Sequence, residues 1–164
     1  MARIVLVGLP GVGKSTVGPA VAGALEINFV DLDAAIAEQV GIPASDILRE
    51  QGEPAFRAFE LAVLRTLLEE DIIIATGGGV VVTEACRELL KRESMVIWLD
   101  ADVDVLMSRA QVGDRPLLAG DMANRLGQLR GERESWYREV ATTRIDANGS
   151  LDEVVEQVLE CVRI

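Results

Sequence analysis

The stretch Ile4-Val5-Leu6-Val7-Gly8-Leu9-Pro10-Gly11-Val12-Gly13-Lys14-Ser15-Thr16 decides how the rest of the chain is read. Its four leading apolar residues show no polar alternation and predict a strand buried on both faces, as in a parallel sheet. Gly8 to Ser15 then fit G-x-x-x-x-G-K-[ST], and amphipathic helical spacing resumes at Ser15. The motif therefore stands between a strand and a helix, the context a phosphate-binding P-loop requires. Glycines let successive backbone N–H groups curl inward at a triphosphate, and the start of the helix adds the positive end of its dipole. Gly11, Val12, Gly13, Lys14, Ser15 and Thr16 are the expected nucleotide contacts. Lys14 would bridge the terminal phosphates and the Ser15 hydroxyl would ligate Mg²⁺. A GTPase switch would need an Asn-Lys-x-Asp guanine reader, but the other lysine, Lys91, follows Leu90.

Outward from this loop, continuous apolar runs recur at residues 71–75 (DIIIA) and 95–99 (MVIWL), with shorter strand candidates at 28–30 and 144–146. Amphipathic stretches lie between them at 15–25, 56–69, 83–91 and 103–109, and Ser150-x-x-Glu153 fits a capping box opening a last helix. Alternating strand and helix predict an α/β fold, a doubly wound five-stranded parallel sheet in a three-layer α/β/α sandwich. One domain, residues 1–164, is expected, with two departures from the alternation. Residues 33–70 carry almost continuous helical signal, with Pro43 suited to a first turn and Gly52 to a break, and read as two or three inserted helices. Residues 111–120 (QVGDRPLLAG) contain two glycines and a proline and read as a mobile flap or a surface loop.

The 164 residues are 49% hydrophobic and 26% charged, an ordinary globular composition. No apolar run approaches the roughly 18 residues of a membrane span. A net charge of −11 argues against a nucleic-acid partner. The chain has no histidine, so proton transfer falls to carboxylates and His-liganded metals are excluded. Cys86 and Cys161 lack C-x-x-C spacing and are expected to be buried structural thiols in a reducing compartment. Residues 1–7 run straight into the glycine loop and read as a first strand, so a cytoplasmic address is the expectation; a monomer is expected because nothing in the sequence requires a second copy.

An ATP-dependent phosphotransferase also needs an acceptor site. Asp31-Leu32-Asp33 follows the second strand candidate, at the carboxyl edge of the sheet where ligands bind. Asp31 would lie nearer the metal and Asp33 nearer an acceptor hydroxyl; alternatively Asp33 caps the next helix. Arg57 stands three residues before Glu60 on one helical face, a spacing shared with ordinary surface pairs. Thr76-Gly77-Gly78-Gly79 follows the DIIIA strand and implies close approach to bare backbone, by a ligand or in a tight turn. Asp100 ends the MVIWL strand as a Walker B acid would, but the following Ala-Asp and helix fit a cap better.

Together, GLPGVGKST, DLD, GEPAFR, TGGG, DRPLL and RESWYR follow the order and approximate spacing of shikimate kinases, and the resemblance runs from Met1 to about Leu159. It implies a P-loop fold of the nucleoside monophosphate kinase type and transfer of the γ-phosphoryl of ATP to the 3-hydroxyl of shikimate, with Mg²⁺. On the matching positions, the resemblance makes Asp33 the contact to the shikimate hydroxyls and candidate base, and Asp31 a residue near magnesium. Arg57 and Arg133 match the pair gripping the carboxylate, Glu60 the acid supporting Arg57, and Gly78 and Gly79 the glycines nearest the ring. Arg115 matches the lid arginine that reaches the phosphates, and Arg109 an arginine near the adenine. The loop Asp146-Ala147-Asn148-Gly149-Ser150 occupies the place of the adenine loop but offers no assignable side chain. The competing expectations are a kinase of another polyol acid such as gluconate, or a non-catalytic nucleotide-binding regulator; the latter is disfavoured because Lys14, Asp33 and Arg115 are all present.

Overall fold

The structure, a computed structural model, describes residues 2–110 and 119–163. Strands β1 (Arg3–Val7), β2 (Asn28–Asp31), β3 (Ile72–Ala75), β4 (Met95–Asp100) and β5 (Thr143–Asp146) form one parallel sheet in the order β2-β3-β1-β4-β5. The apolar runs supply the three central strands, in register with Val5 opposite both Ile74 and Val96. Polar residues stand at the edges, where Asn28 and Arg144 are exposed. Three inserted helices, α2 (Leu32–Val40), α3 (Ala44–Gln51) and α4 (Glu53–Leu67), separate β2 from β3. Gly52, at φ 88°, turns the chain between α3 and α4, while Pro43 stands one residue before α3 instead of within its first turn.

Helix α1 (Lys14–Leu25) packs with α8 (Leu151–Val162), and α5 (Glu84–Glu93) packs with α4 and α7 (Ala119–Val140) on the other side of the sheet; α6 (Val103–Ala110) leans on α7. The Ser150 hydroxyl accepts the Glu153 N–H at 3.2 Å, as the capping spacing predicts. Helix α7 has no counterpart in the sequence reading, and its first two residues fall inside the predicted flap. Apolar periodicity is sparse there: Gly127 and Gly131 lie in its middle facing open space, and Leu126, Tyr137 and Val140 are its buried side chains. Residues 111–118, and with them Arg115, lie outside the described residues. No helix among the described residues is long and apolar enough to cross a membrane.

The strand order positions the site. Because β1 lies between β3 and β4, and β3 lies beside β2, the P-loop, Thr76 to Gly79, and Asp31 to Asp33 emerge side by side at the carboxyl edge. Thr76 fastens this edge: its N–H and hydroxyl both donate to the Leu6 carbonyl, at 3.2 and 2.9 Å.

Candidate active site

The P-loop glycines serve backbone geometry. Gly8 and Gly13 have φ of 150° and 109°, and a β-carbon on Gly8 would stand 2.5 Å from the Leu99 carbonyl. Gly11, Gly13, Lys14, Ser15 and Thr16 line a cleft of about 580 Å³ together with Asp31, Asp33, Gly78 and Arg109. Val12 faces the core with its side chain, so only its backbone is available to a ligand. The buried Lys14 ammonium donates to the Gly8 and Leu9 carbonyls at 2.6 and 3.1 Å. Burial brings it down to about 8, against the attraction of Asp33 and Asp31 and with a further push from Arg133.

Asp31 and Asp33 divide the work differently from the capping alternative. Asp31 caps α2, accepting the Ala34 N–H at 3.0 Å, and its other oxygen accepts the Ser15 hydroxyl at 3.2 Å. This leaves Asp33 in the first turn with its carboxylate in the cleft, where Oδ1 is buried and takes no hydrogen bond among the described residues. Burial first, then the neighbouring Asp31 charge, raises the Asp33 carboxyl, while Lys14 and Arg57 pull it back. The donor set fits magnesium. A hydroxyl and a carboxylate are hard oxygen ligands, and Mg²⁺ ordinarily needs only one or two protein ligands beside phosphates and water.

The three glycines after β3 are explained by what stands against them. None has a positive φ. A β-carbon would fall 2.9 Å from an Asp33 oxygen at Gly77, 3.1 Å from an Arg133 nitrogen at Gly78, and 2.5 Å from an Arg57 nitrogen at Gly79. Gly77 and Gly79 thus make room for Asp33 and Arg57, Gly78 makes room for both Arg133 and Pro10 of the P-loop, and the bare loop has a carboxylate and two guanidinium groups from α2, α7 and α4 against it.

Arg57 and Glu60 are not a surface pair. Glu60 is fully buried and accepts Arg57 Nη1 at 3.1 and 3.3 Å, while Glu53 accepts Nε and Nη2 of the same guanidinium at 3.3 Å. Burial raises the Glu60 carboxyl, with Arg57 opposing the rise. Arg109 ties the P-loop to the loop after β5, donating to the carbonyls of Val12 at 2.9 Å and Gly149 at 2.6 Å.

Two expectations need correction. Asp100 does not cap the next helix: it is buried, accepts Nε and Nη2 of Arg144 at 2.8 and 2.6 Å, and pairs with Arg130 at 3.1 Å. A buried carboxylate needs such partners, and the two arginines stand where the sequence shows only unrelated positions. Cys86 is buried as expected, but Cys161 is only half-buried. Sequence reasoning also left Tyr137 unassigned; it is buried, stacks on Trp98 at 5.9 Å, and donates its hydroxyl to the Gly78 carbonyl at 2.6 Å. The available signal was its place four residues after Arg133, one turn on along the same helical face.

A family model described as shikimate kinase matches residues 10–163. A shikimate kinase of Rhodococcus jostii is 40% identical over 161 residues, covering 96% of this chain and 95% of that protein. Among solved structures, shikimate kinase from Bacteroides thetaiotaomicron superposes with a TM-score of 0.92 at 27% identity, covering 99% of both chains. Shikimate kinase from Acinetobacter baumannii, solved in complex with shikimate, gives 0.88 at 31% identity over 99% of this chain and 94% of that one. With a family match over nearly its whole length, the P-loop, DLD and TGGG lining one cleft, and Arg57 and Arg133 packed against the glycines after β3, this chain belongs to the shikimate kinase family.

Proposed function

We propose that the chain transfers the γ-phosphoryl group of ATP to the 3-hydroxyl of shikimate, giving shikimate 3-phosphate and ADP on the route to chorismate and the aromatic amino acids. The observation that carries this reading is the gathering of Asp33, Arg57 and Arg133 around Gly77, Gly78 and Gly79, beside a P-loop that opens into the same cleft. The two planar guanidinium groups suit forked recognition of the shikimate carboxylate. That anchoring presents the ring to Asp33, whose unpartnered buried oxygen is suited to accept the 3-hydroxyl proton. The hydroxyl oxygen then bonds to the γ-phosphorus as the bond to the bridging oxygen of ADP breaks in line.

Lys14 would turn from the Gly8 and Leu9 carbonyls toward the phosphates and offset charge developing on the transferring group. Ser15 and Asp31 would hold Mg²⁺, which would offset the negative charge of the nucleotide phosphates. Arg109 is assigned to the adenine side of the cleft, and Arg115, outside the described residues, to the phosphates. The remaining nucleotide contacts are the backbone N–H groups of Gly11, Val12, Gly13, Ser15 and Thr16.

Release of ADP from MgATP, measured with shikimate, with gluconate and without acceptor, tests the proposal. Stimulation by shikimate alone is the expected result. Stimulation by gluconate, or equal release without acceptor, would overturn it.

A further inference from the structure

Tyr137 is buried, yet it does not line the nucleotide cleft and the proposed chemistry makes no use of it. Its hydroxyl donates to the Gly78 carbonyl at 2.6 Å, a short bond crossing from α7 to the loop after β3. The ring is held against Trp98 on β4, so the donor is fixed by the sheet rather than carried on a free side chain. A peptide unit is planar and trans, so holding the Gly78 carbonyl toward α7 fixes the Gly79 N–H pointing the opposite way. Glycine backbone would otherwise be the least constrained in the site, and these residues have no side chain of their own to fix them.

The same tyrosine bears on Arg133. One helical turn separates them, the Arg133 guanidinium lies beside the hydroxyl, and an Arg133 nitrogen packs against the α-carbon face of Gly78. Burial pushes the Tyr137 hydroxyl up to about 12, with Arg133 drawing it down, so it remains a protonated donor across the physiological range.

We infer that Tyr137 is a positioning residue of the acceptor site, locking the Gly78 peptide and the Arg133 guanidinium into the arrangement that receives the carboxylated acceptor. The inference rests on the shikimate reading of the cleft. The Tyr137 hydroxyl bonds Gly78 and its ring stacks on Trp98, whereas Lys14, Ser15 and Thr16 line the nucleotide cleft without it.

Tyr137→Phe removes one oxygen and keeps the ring packing. The expected result is a KM for shikimate raised about tenfold, from loss of one bond to a buried carbonyl. The KM for MgATP should stay within about twofold, with kcat little changed, because Asp33 and Lys14 are unaltered. Equal rises in both KM values, or a lowered melting temperature with unchanged KM for shikimate, would overturn the inference.

A second measurement avoids substitution. Tyr137 is the single tyrosine of the chain, so uniform incorporation of 3-fluorotyrosine places one ¹⁹F label at this site. Its resonance should shift on addition of shikimate and stay in place with MgADP. A signal unmoved by saturating shikimate rejects the positioning role. If unsubstituted protein shows no shikimate-dependent ADP release, the functional reading fails first; normal wild-type turnover with normal Tyr137→Phe kinetics fails this inference alone.

Discussion

Asp33 is costly to ionise in the folded chain. Burial and the adjacent Asp31 charge raise its carboxyl above the ordinary 3.8, and Lys14 and Arg57 offset this only in part. A carboxylate whose folded value is raised destabilises the fold once it ionises: the penalty is absent below 3.8 and complete above the raised value. Asp33→Asn is therefore expected to raise the melting temperature at neutral pH, with the gain shrinking as pH falls toward 3.8. Turnover should fall at least about 100-fold for loss of a general base, with MgATP affinity nearly intact. Residual turnover within tenfold of wild type would remove Asp33 from the base role, and a lower melting temperature at neutral pH would contradict the charge penalty. Lys14 behaves oppositely. Its value of about 8 lies below the 10.5 of a free lysine, so between those values the unfolded chain holds more protons and its contribution to stability grows as pH rises. Nucleotide binding favours the charged form and should weaken as pH rises through about 8. Calorimetric titration with MgATP near that pH, in buffers of different ionisation enthalpy, should show proton uptake. Binding without uptake would mean that Lys14 is already charged in the nucleotide-free protein.

Elements bring these residues together through close packing against bare backbone. At Gly79, an added methyl would stand 2.5 Å from an Arg57 nitrogen, so Gly79→Ala must displace the guanidinium that Glu60 and Glu53 hold. The expected outcome is a KM for shikimate raised tenfold or more, with MgATP affinity unchanged. Gly131→Ala in α7 meets open space and should instead stabilise the protein by up to about 1 kcal/mol through helix propensity, without kinetic effect. Steady-state kinetics and thermal melts of the two variants check the contrast; an unchanged shikimate KM in Gly79→Ala would reject the cradle. The same elements explain what the sequence revealed and what it hid. Strands β1, β3 and β4 were legible because burial on both faces leaves an uninterrupted apolar run. Helix α7 was not, because Gly127 and Gly131 and a largely polar face suppress its periodicity. Its place is set by tertiary bonds, Arg130 to Asp100 and the Ala101 carbonyl, and Tyr137 to Gly78, which pair residues 29 to 59 positions apart. The P-loop was readable because its chemistry is local, whereas the burial of Glu60 and the pairing of Asp100 depend on the assembled molecule.

At the scale of the molecule, a net charge of −11 must coexist with two anionic substrates. A strongly positive pocket would resolve this, and counting Lys14, Arg57, Arg109 and Arg133 alone suggests one. The described site also contains Asp31, Asp33 and Glu60, so its cations and carboxylates nearly balance. Its attraction for anions therefore comes from contact geometry, from forked guanidinium groups and inward N–H groups, and reaches little beyond the cleft. Beyond about 10 Å at about 0.1 M salt, charges are screened from one another, and at lower ionic strength an approaching nucleotide meets the field of the whole chain. That field is repulsive. The association rate constant for MgATP, measured by stopped flow, should accordingly rise as salt is increased from about 10 mM to about 100 mM, the reverse of an electrostatically steered enzyme. The dissociation rate, governed by bonds within the cleft, should change less over the same range. A steep fall in the association rate with added salt would show that the cations around the P-loop dominate the long-range field despite the charge of the chain.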